Sequence, residues 1–196
     1  MEPTRDALLD LFRRSGALLD GHFRLTSGLH SSGYLQCALV LQHPEHAERL
    51  GRAIAGRTGA LRATAVLSPA LGGVVIGHEV GRALGVRAIF AEREDGALML
   101  RRGFALSESD RVLVVEDVLT TGGSTRETMQ VARAAGAHVV GAASIVDRSA
   151  GQAAGMLDVP FQALLTIALP TYEPDACPLC AQGVPMVKPG SRQVQA

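Results

Sequence analysis

Lysine is nearly absent from this chain: Lys188 is the only one among nineteen basic residues. Schiff-base or amine-nucleophile chemistry would therefore rest on one residue near the C-terminus, and it is set aside. Excess charge is lacking too. Nineteen Lys and Arg balance nineteen Asp and Glu, so no broad positive field is available to hold nucleic acid or an anionic membrane surface. Any anion site must be local. Long apolar runs are missing: the longest stretch free of Asp, Glu, Lys, Arg and His runs from Ala63 to Gly77 and contains Pro69 and several glycines, too short to cross a bilayer. The opening "MEPTRDALLDLFRR" is charged and amphipathic, without the apolar centre of a signal peptide. Three cysteines, Cys37, Cys177 and Cys180, are too few for a disulfide scaffold. The expectation is a cytoplasmic protein, with no nucleic acid or membrane partner.

What is present is a core-forming chain. With 196 residues, 47% of them hydrophobic, one sizeable core can form, and a single domain is expected over 1–196. Leu8, Leu11 and Phe12 mark one face of a first helix, and "PEHAERLGRAIAGRTG" reads as a second, from Pro44 to near Gly59. Between them "HFRLTSGLHSSGYLQCALVL" reads as two short strands around a Ser/Gly-rich turn, with Cys37 as strand core. Apolar strands and amphipathic helices then alternate: "TAVLS", "VVIGHEVGRAL", "VRAIFAE", "RVLVVED", "STRETMQVARAAG", "HVVGAASIVD", and a last strand within "FQALLTIAL". That order implies an α/β fold with a central, mostly parallel sheet covered by helices on both faces.

One stretch carries chemistry. In "RVLVVEDVLTTGGSTRETMQ" an apolar strand runs into Glu116 and Asp117, then into a loop of Thr, Gly and Ser, then into a helix. Ligands of open parallel sheets sit beyond the carboxyl ends of strands. A loop of small residues there lets backbone N–H groups approach an anion, and the following helix N-terminus adds a favourable dipole. Residues Thr120, Thr121, Gly122, Gly123, Ser124 and Thr125 thus read as a phosphate cradle. The Walker and dinucleotide fingerprints are both absent from it. Two carboxylates beside such a cradle can accept hydrogen bonds from ribose hydroxyls and offset positive charge developing at the sugar.

"VLVVEDVLTTGGST" resembles the phosphoribosyl-pyrophosphate signature of the type I phosphoribosyltransferases. The resemblance implies that Thr120 to Thr125 hold the 5'-phosphate and that Glu116 and Asp117 hold the ribose hydroxyls. "SPALGGV" is similar to that family's pyrophosphate loop, which would make Ala70, Leu71, Gly72 and Gly73 its core. In the family this loop has an unusual backbone, often a non-proline cis peptide. The opening "FRLTSGLHSSGYLQ" resembles the orotate-using branch, through Phe23, Leu25, Ser27, Gly28, Ser31 and Tyr34, which makes Ser27 and Tyr34 substrate-binding candidates. "ASIVDRS" is similar to the segment in which that branch's arginine meets the orotate carboxylate, and Arg148 takes its place. A planar guanidinium can bind that carboxylate in a bidentate way and so reject the uncharged base.

The resemblance implies that orotate and phosphoribosyl pyrophosphate are the substrates, that Mg2+ is carried on the pyrophosphate rather than held directly by the protein, and that the chain forms a homodimer. It also implies a small hood, built from about 1–43 and 150–187; the tail over 188–196, "KPGSRQVQA", reads as disordered from its composition. A transferase for a purine or uracil, and a phosphoribosyl-pyrophosphate-sensing regulator of the same fold, are the alternatives. There are departures. Thr26 and Gly72 stand where the family often has lysine, and the region of the mobile catalytic loop, "AEREDGALMLRRGF", holds neither lysine nor histidine. Its cations are Arg93, Arg101 and Arg102, of which Arg93 and then Arg102 are the catalytic candidates. "CPLC" has the spacing of half a zinc site, but no second ligand pair is near it in sequence, so a structural turn is expected.

Overall fold

The computed structural model describes residues 3–25 and 27–188; Thr26 and the tail beyond Lys188 lie outside the described residues. Helix α1 (Arg5–Arg14) begins at Thr4, whose hydroxyl oxygen accepts from the Ala7 N–H, and it buries Leu8 and Phe12. Strands β1 (Leu18–Arg24) and β2 (His30–Leu35) form an antiparallel hairpin. The chain then turns helical in α2 (Ala38–Leu41), where a continued strand was expected. A short apolar run carries no period that separates the two conformations. One helical turn buries both Val40 and Leu41, and Cys37 precedes it as buried core. Helix α3 (Pro44–Thr58) has proline in its first turn, as its sequence suggests.

The alternating region follows as β3 (Ala65–Pro69), α4 (Gly72–Leu84), β4 (Arg87–Glu94), β5 (Ala97–Leu100), β6 (Arg111–Leu119), α5 (Gly123–Ala134), β7 (His138–Asp147), α6 (Ala153–Met156) and β8 (Phe161–Thr166). Two-residue strands β9 (Thr171–Tyr172) and β10 (Met186–Val187), with helix α7 (Pro178–Ala181) between them, complete the described chain. Among the described residues no helix is long and apolar enough to cross a membrane.

The large sheet has the order β5-β4-β3-β6-β7-β8, parallel throughout except for β5. Its centre is dry, with Val112, Leu113, Val114 and Val115 fully buried. Each such side chain contributes about 1.5–3 kcal/mol relative to exposure. From the β3/β6 boundary the chain winds in opposite directions, through α4 to β4 and through α5 to β7. Right-handed crossovers then put α4 and α5 on opposite faces of the sheet. The core agrees: Leu113 and Val115 pack with Ile76 and Val80 of α4, whereas Val112 and Val114 pack with Met129 and Ala132 of α5. A smaller sheet, β10-β1-β2-β9, joins the N-terminal hairpin to strands from the C-terminal segment.

The segment expected as a loop at 92–103 contains a β-hairpin, formed by β4 and β5. Arg93 pairs with Leu98 and Glu94 with Ala97 across a hairpin. Its two turn residues, Asp95 and Gly96, both have positive φ, 49° and 89°. An Asp-Gly turn of this hand matches the twist of the strands it joins, which is why the chain folds back here.

Candidate active site

Strands β3 and β6 are hydrogen-bonded neighbours at the point where the strand order reverses, the place where open α/β sheets bind ligands. Two loops of small residues meet there. After β3, the Ala70–Leu71 peptide is cis, and Leu71 is 88% exposed. Gly72 begins α4. After β6, the exposed Thr120 and Thr121 lead to Gly122, whose φ of +69° suits glycine, and Gly123 opens α5. The first amides of that helix have no intrahelical acceptor and are available to an anion.

Strand β6 runs two residues past the acids, to Leu119, so Glu116 and Asp117 are strand residues rather than its tip. Adjacent strand residues point to opposite faces. Glu116, which shares the face of Val112 and Val114, turns toward α5. Its Oε1 accepts from the Ser124 hydroxyl at 2.5 Å, and its Oε2 accepts from the Thr125 hydroxyl. Glu116 thereby braces the loop between β6 and α5, the phosphate-cradle candidate, from beneath. Ser124 and Thr125, expected to be among the residues that hold the 5'-phosphate, donate their hydroxyls to this carboxylate.

Asp117 turns to the α4 face. A Cβ added at Gly72 would lie 2.6 Å from Asp117 Oδ1 and 2.9 Å from Oδ2. The missing side chain at Gly72 is what lets the pyrophosphate-loop candidate and this carboxylate approach. Burial pushes both carboxyls above their ordinary pKa. For Glu116 the two hydroxyl donors oppose the rise while the charge of Asp117 adds to it; for Asp117 the backbone N–H groups of Val118 and of Asp117 itself oppose it. Cys37 is also buried, and its thiol donates weakly to the Asp117 carbonyl oxygen at 4.0 Å. Burial, with the Asp117 charge second, holds that thiol well above the usual range.

Arg148 follows β7, and its backbone N–H donates to the Leu119 carbonyl at 2.8 Å, which fixes it beside the cradle. Its Nε is buried with no hydrogen-bond partner, and burial lowers the pKa of the guanidinium. Ser68 Oγ and Ser149 Oγ, next to the two loops, are buried and unpartnered as well. Neither serine was singled out from the sequence, since a hydroxyl among small residues gives no signal there.

The remaining candidates lie elsewhere. Ser27 is exposed in the β1–β2 turn, and Tyr34 on β2 packs against Phe23, with ring centroids 5.8 Å apart. Both belong to the smaller sheet. Arg93 is held by Glu127 of α5, with Nη2 to Oε2 at 2.8 Å. The same carboxylate accepts from the Leu98 N–H. Arg102 makes a two-pronged pair with Glu92, at 2.6 and 2.8 Å. These pairs hold Glu127 and Glu92 below the ordinary carboxylate pKa.

Comparison with known proteins agrees with this geometry. Residues 39–155 match the model of the phosphoribosyl transferase domain. The orotate phosphoribosyltransferase of Pelotomaculum thermopropionicum is 54% identical over 97% of this chain and 100% of its own. The crystal structure of Mycobacterium tuberculosis orotate phosphoribosyltransferase with inorganic phosphate superposes with a TM-score of 0.69 at 26% identity, covering 83% of this chain and 95% of that one. The same enzyme in complex with 5-phospho-α-D-ribosyl 1-diphosphate gives a TM-score of 0.64 at 26% identity, covering 84% and 96%. The chain belongs to the orotate phosphoribosyltransferases, within the phosphoribosyl transferase domain family.

Proposed function

We propose that this protein transfers the phosphoribosyl group of phosphoribosyl pyrophosphate to orotate, releasing pyrophosphate and forming orotidine 5'-phosphate for pyrimidine nucleotide synthesis. The observation that carries the choice of base is Arg148: a guanidinium with a buried, unpartnered Nε beside the cradle fits a planar carboxylate on the acceptor. The bond from the anomeric carbon to pyrophosphate breaks and a bond to a ring nitrogen of orotate forms, through a sugar with oxocarbenium character. Backbone N–H groups from Thr120 to Thr125 hold the 5'-phosphate, and those of Ala70 to Gly73 hold the pyrophosphate. Asp117 faces the developing positive charge and a ribose hydroxyl. Glu116 keeps the cradle in register through Ser124 and Thr125. Thr120 adds a hydroxyl toward the base.

Asp117 is the oxygen donor nearest the pyrophosphate-loop candidate and suits a hard divalent cation. Mg2+ entering with the pyrophosphate would offset the charge of the leaving group. Arg93 and Arg102 cover the rest of that charge after exchanging Glu127 and Glu92 for it. The reading includes a single domain whose hood closes over the site, a homodimer, and the cytoplasm as the compartment, which suits three unpaired thiols. Light scattering that returned the mass of a single chain would remove the dimer. The test of function is turnover with phosphoribosyl pyrophosphate and each of orotate, uracil, adenine, guanine and hypoxanthine. Pyrophosphate release with orotate is expected; release with another base and none with orotate would overturn the assignment.

A further inference from the structure

Far from the acids of β6 in sequence, a second cluster forms between the two ends of the domain. His22 on β1, His30 on β2, and Cys177 and Cys180 flanking the start of α7 bring four ligand atoms within 4.8 Å of one another. His22 Nε2 lies 3.0 Å from His30 Nδ1, 3.6 Å from Cys177 Sγ and 3.8 Å from Cys180 Sγ. Cys180 Sγ is 3.3 Å from His30 Nδ1. With metal–nitrogen bonds of about 2.0–2.1 Å and metal–sulfur bonds of about 2.3 Å, a tetrahedron has N–N, N–S and S–S edges of about 3.3, 3.6 and 3.8 Å. The four distances above fall within about 0.3 Å of the corresponding edges.

We infer that His22, His30, Cys177 and Cys180 form a structural Zn2+ site. Three features of the cluster, besides its size, point to a metal. First, the other nitrogen of the His22 ring, Nδ1, is 2.8 Å from the Val184 carbonyl oxygen. A carbonyl can only accept, so Nδ1 carries the proton and Nε2 presents its lone pair to the cluster, the arrangement that orients histidine ligands. Second, His22, His30 and Cys177 are all buried, at 2%, 6% and 3% exposure, while Cys180 stands at the open side where an ion can enter. Third, the donor set has two sulfurs, two imidazoles and no carboxylate in the group, which selects zinc over magnesium or calcium. Binding releases the two thiol protons, and the two thiolates balance the charge of the ion.

The C-terminal elements on either side of these cysteines are too short to be stable alone. Strands β9 and β10 have two residues each and α7 has four. A metal bound between the β1–β2 hairpin and α7 fixes this segment to the hood. "CPLC" read alone is only half a site; the hairpin supplies the other half. The inference is independent of the transfer reaction.

The test uses the full chain, purified without a metal-affinity tag. Metal analysis is expected to find about one Zn2+ per chain, and Co2+ replacing it is expected to give tetrahedral visible bands with sulfur-to-metal charge-transfer absorption. Cys180→Ser and His22→Gln should lose the stoichiometric metal, and a chelator should lower Tm of the wild type. Less than a tenth of an equivalent of zinc in the purified chain, together with a Co2+ spectrum lacking those bands after reduction of the thiols, would overturn the site. A mass two hydrogens lighter, showing a Cys177–Cys180 disulfide in freshly purified protein that takes up no Zn2+ once reduced, would overturn it in favour of a redox pair. Should the variants not fold, metal content and Co2+ spectra of the wild type still decide.

Discussion

Gly72→Ala isolates the position of one carboxylate without changing any charge. The added Cβ would sit 2.6 Å from Asp117 Oδ1, where ordinary contact begins at 3.4 Å, so the carboxylate must withdraw by about 0.8 Å (3.4 − 2.6). The short Asp117 side chain can make that movement only by rotating away from the α4 face. Misplacement of a catalytic group by about 1 Å can cost about 10²-fold in rate, and that is the fall in turnover expected. The fold should not suffer, because Gly72 is the first residue of α4 and alanine is favoured over glycine in a helix by up to about 1 kcal/mol. Steady-state pyrophosphate release and a thermal melt, run on the same preparation, read the two effects separately. Combining Gly72→Ala with Asp117→Asn adds a second criterion: if the glycine acts only through this carboxylate, the double variant is no slower than Asp117→Asn alone. Wild-type turnover in Gly72→Ala, or losses that simply multiply, would refute the reasoning.

Asp117→Asn itself should lower turnover by about 10²–10³-fold, about 2.7–4 kcal/mol of transition-state stabilisation. Its melting should show the opposite sign: burial raises the Asp117 pKa in the fold, so folding takes up a proton between the ordinary and the raised value and wild-type stability declines as pH climbs through that window. The variant lacks that decline, so it should melt no lower than wild type at neutral pH, with its advantage shrinking toward acid; a deficit at neutral pH that disappears in acid would contradict this. Arg148→Ala should weaken orotate by about 10-fold or more and leave phosphoribosyl pyrophosphate binding within about twofold by calorimetry; equal weakening of both rejects the role. Arg93→Ala should lower turnover by about 10²-fold with little change in orotate affinity, and unchanged turnover would make the β4–β5 hairpin a structural edge only.

The strand, loop and helix of the cradle candidate were legible in the sequence because they are contiguous, and contiguity is what a local pattern records. The opposed directions of Glu116 and Asp117 were half legible. Their parity follows from the strand period, but which helix covers which face depends on strand order, and that is fixed by long-range packing. The β4–β5 hairpin had its signal in plain view, an Asp95-Gly96 turn pair following the strand run "VRAIFAE", and the loop reading came from the resemblance instead. The helical turn at Ala38 was ambiguous in principle, since four apolar residues show no period. Convergence of His22 and His30 with Cys177 and Cys180 could not be read at all. The histidines lie 147 to 158 positions from the cysteines, and only the folded small sheet brings them together.

The makeup of that small sheet sets an order of events during synthesis. Residues 65–166 contain every strand of the large sheet, whereas β1 and β2 find their outer neighbours only in β9 and β10. As the chain leaves the ribosome, the hairpin is therefore the first sheet element to appear and the last to be flanked. It must wait, with both edges open, until more than a hundred intervening residues have been made. Unpaired edges are templates for pairing with other chains. This hairpin meets that hazard with Asp20 and Arg24 exposed along β1 and with a register shift between Asp20 and Phe23 that interrupts a flat edge. A nascent chain stalled before Thr171 would hold every strand of the large sheet while both edges of this hairpin stayed without their neighbours.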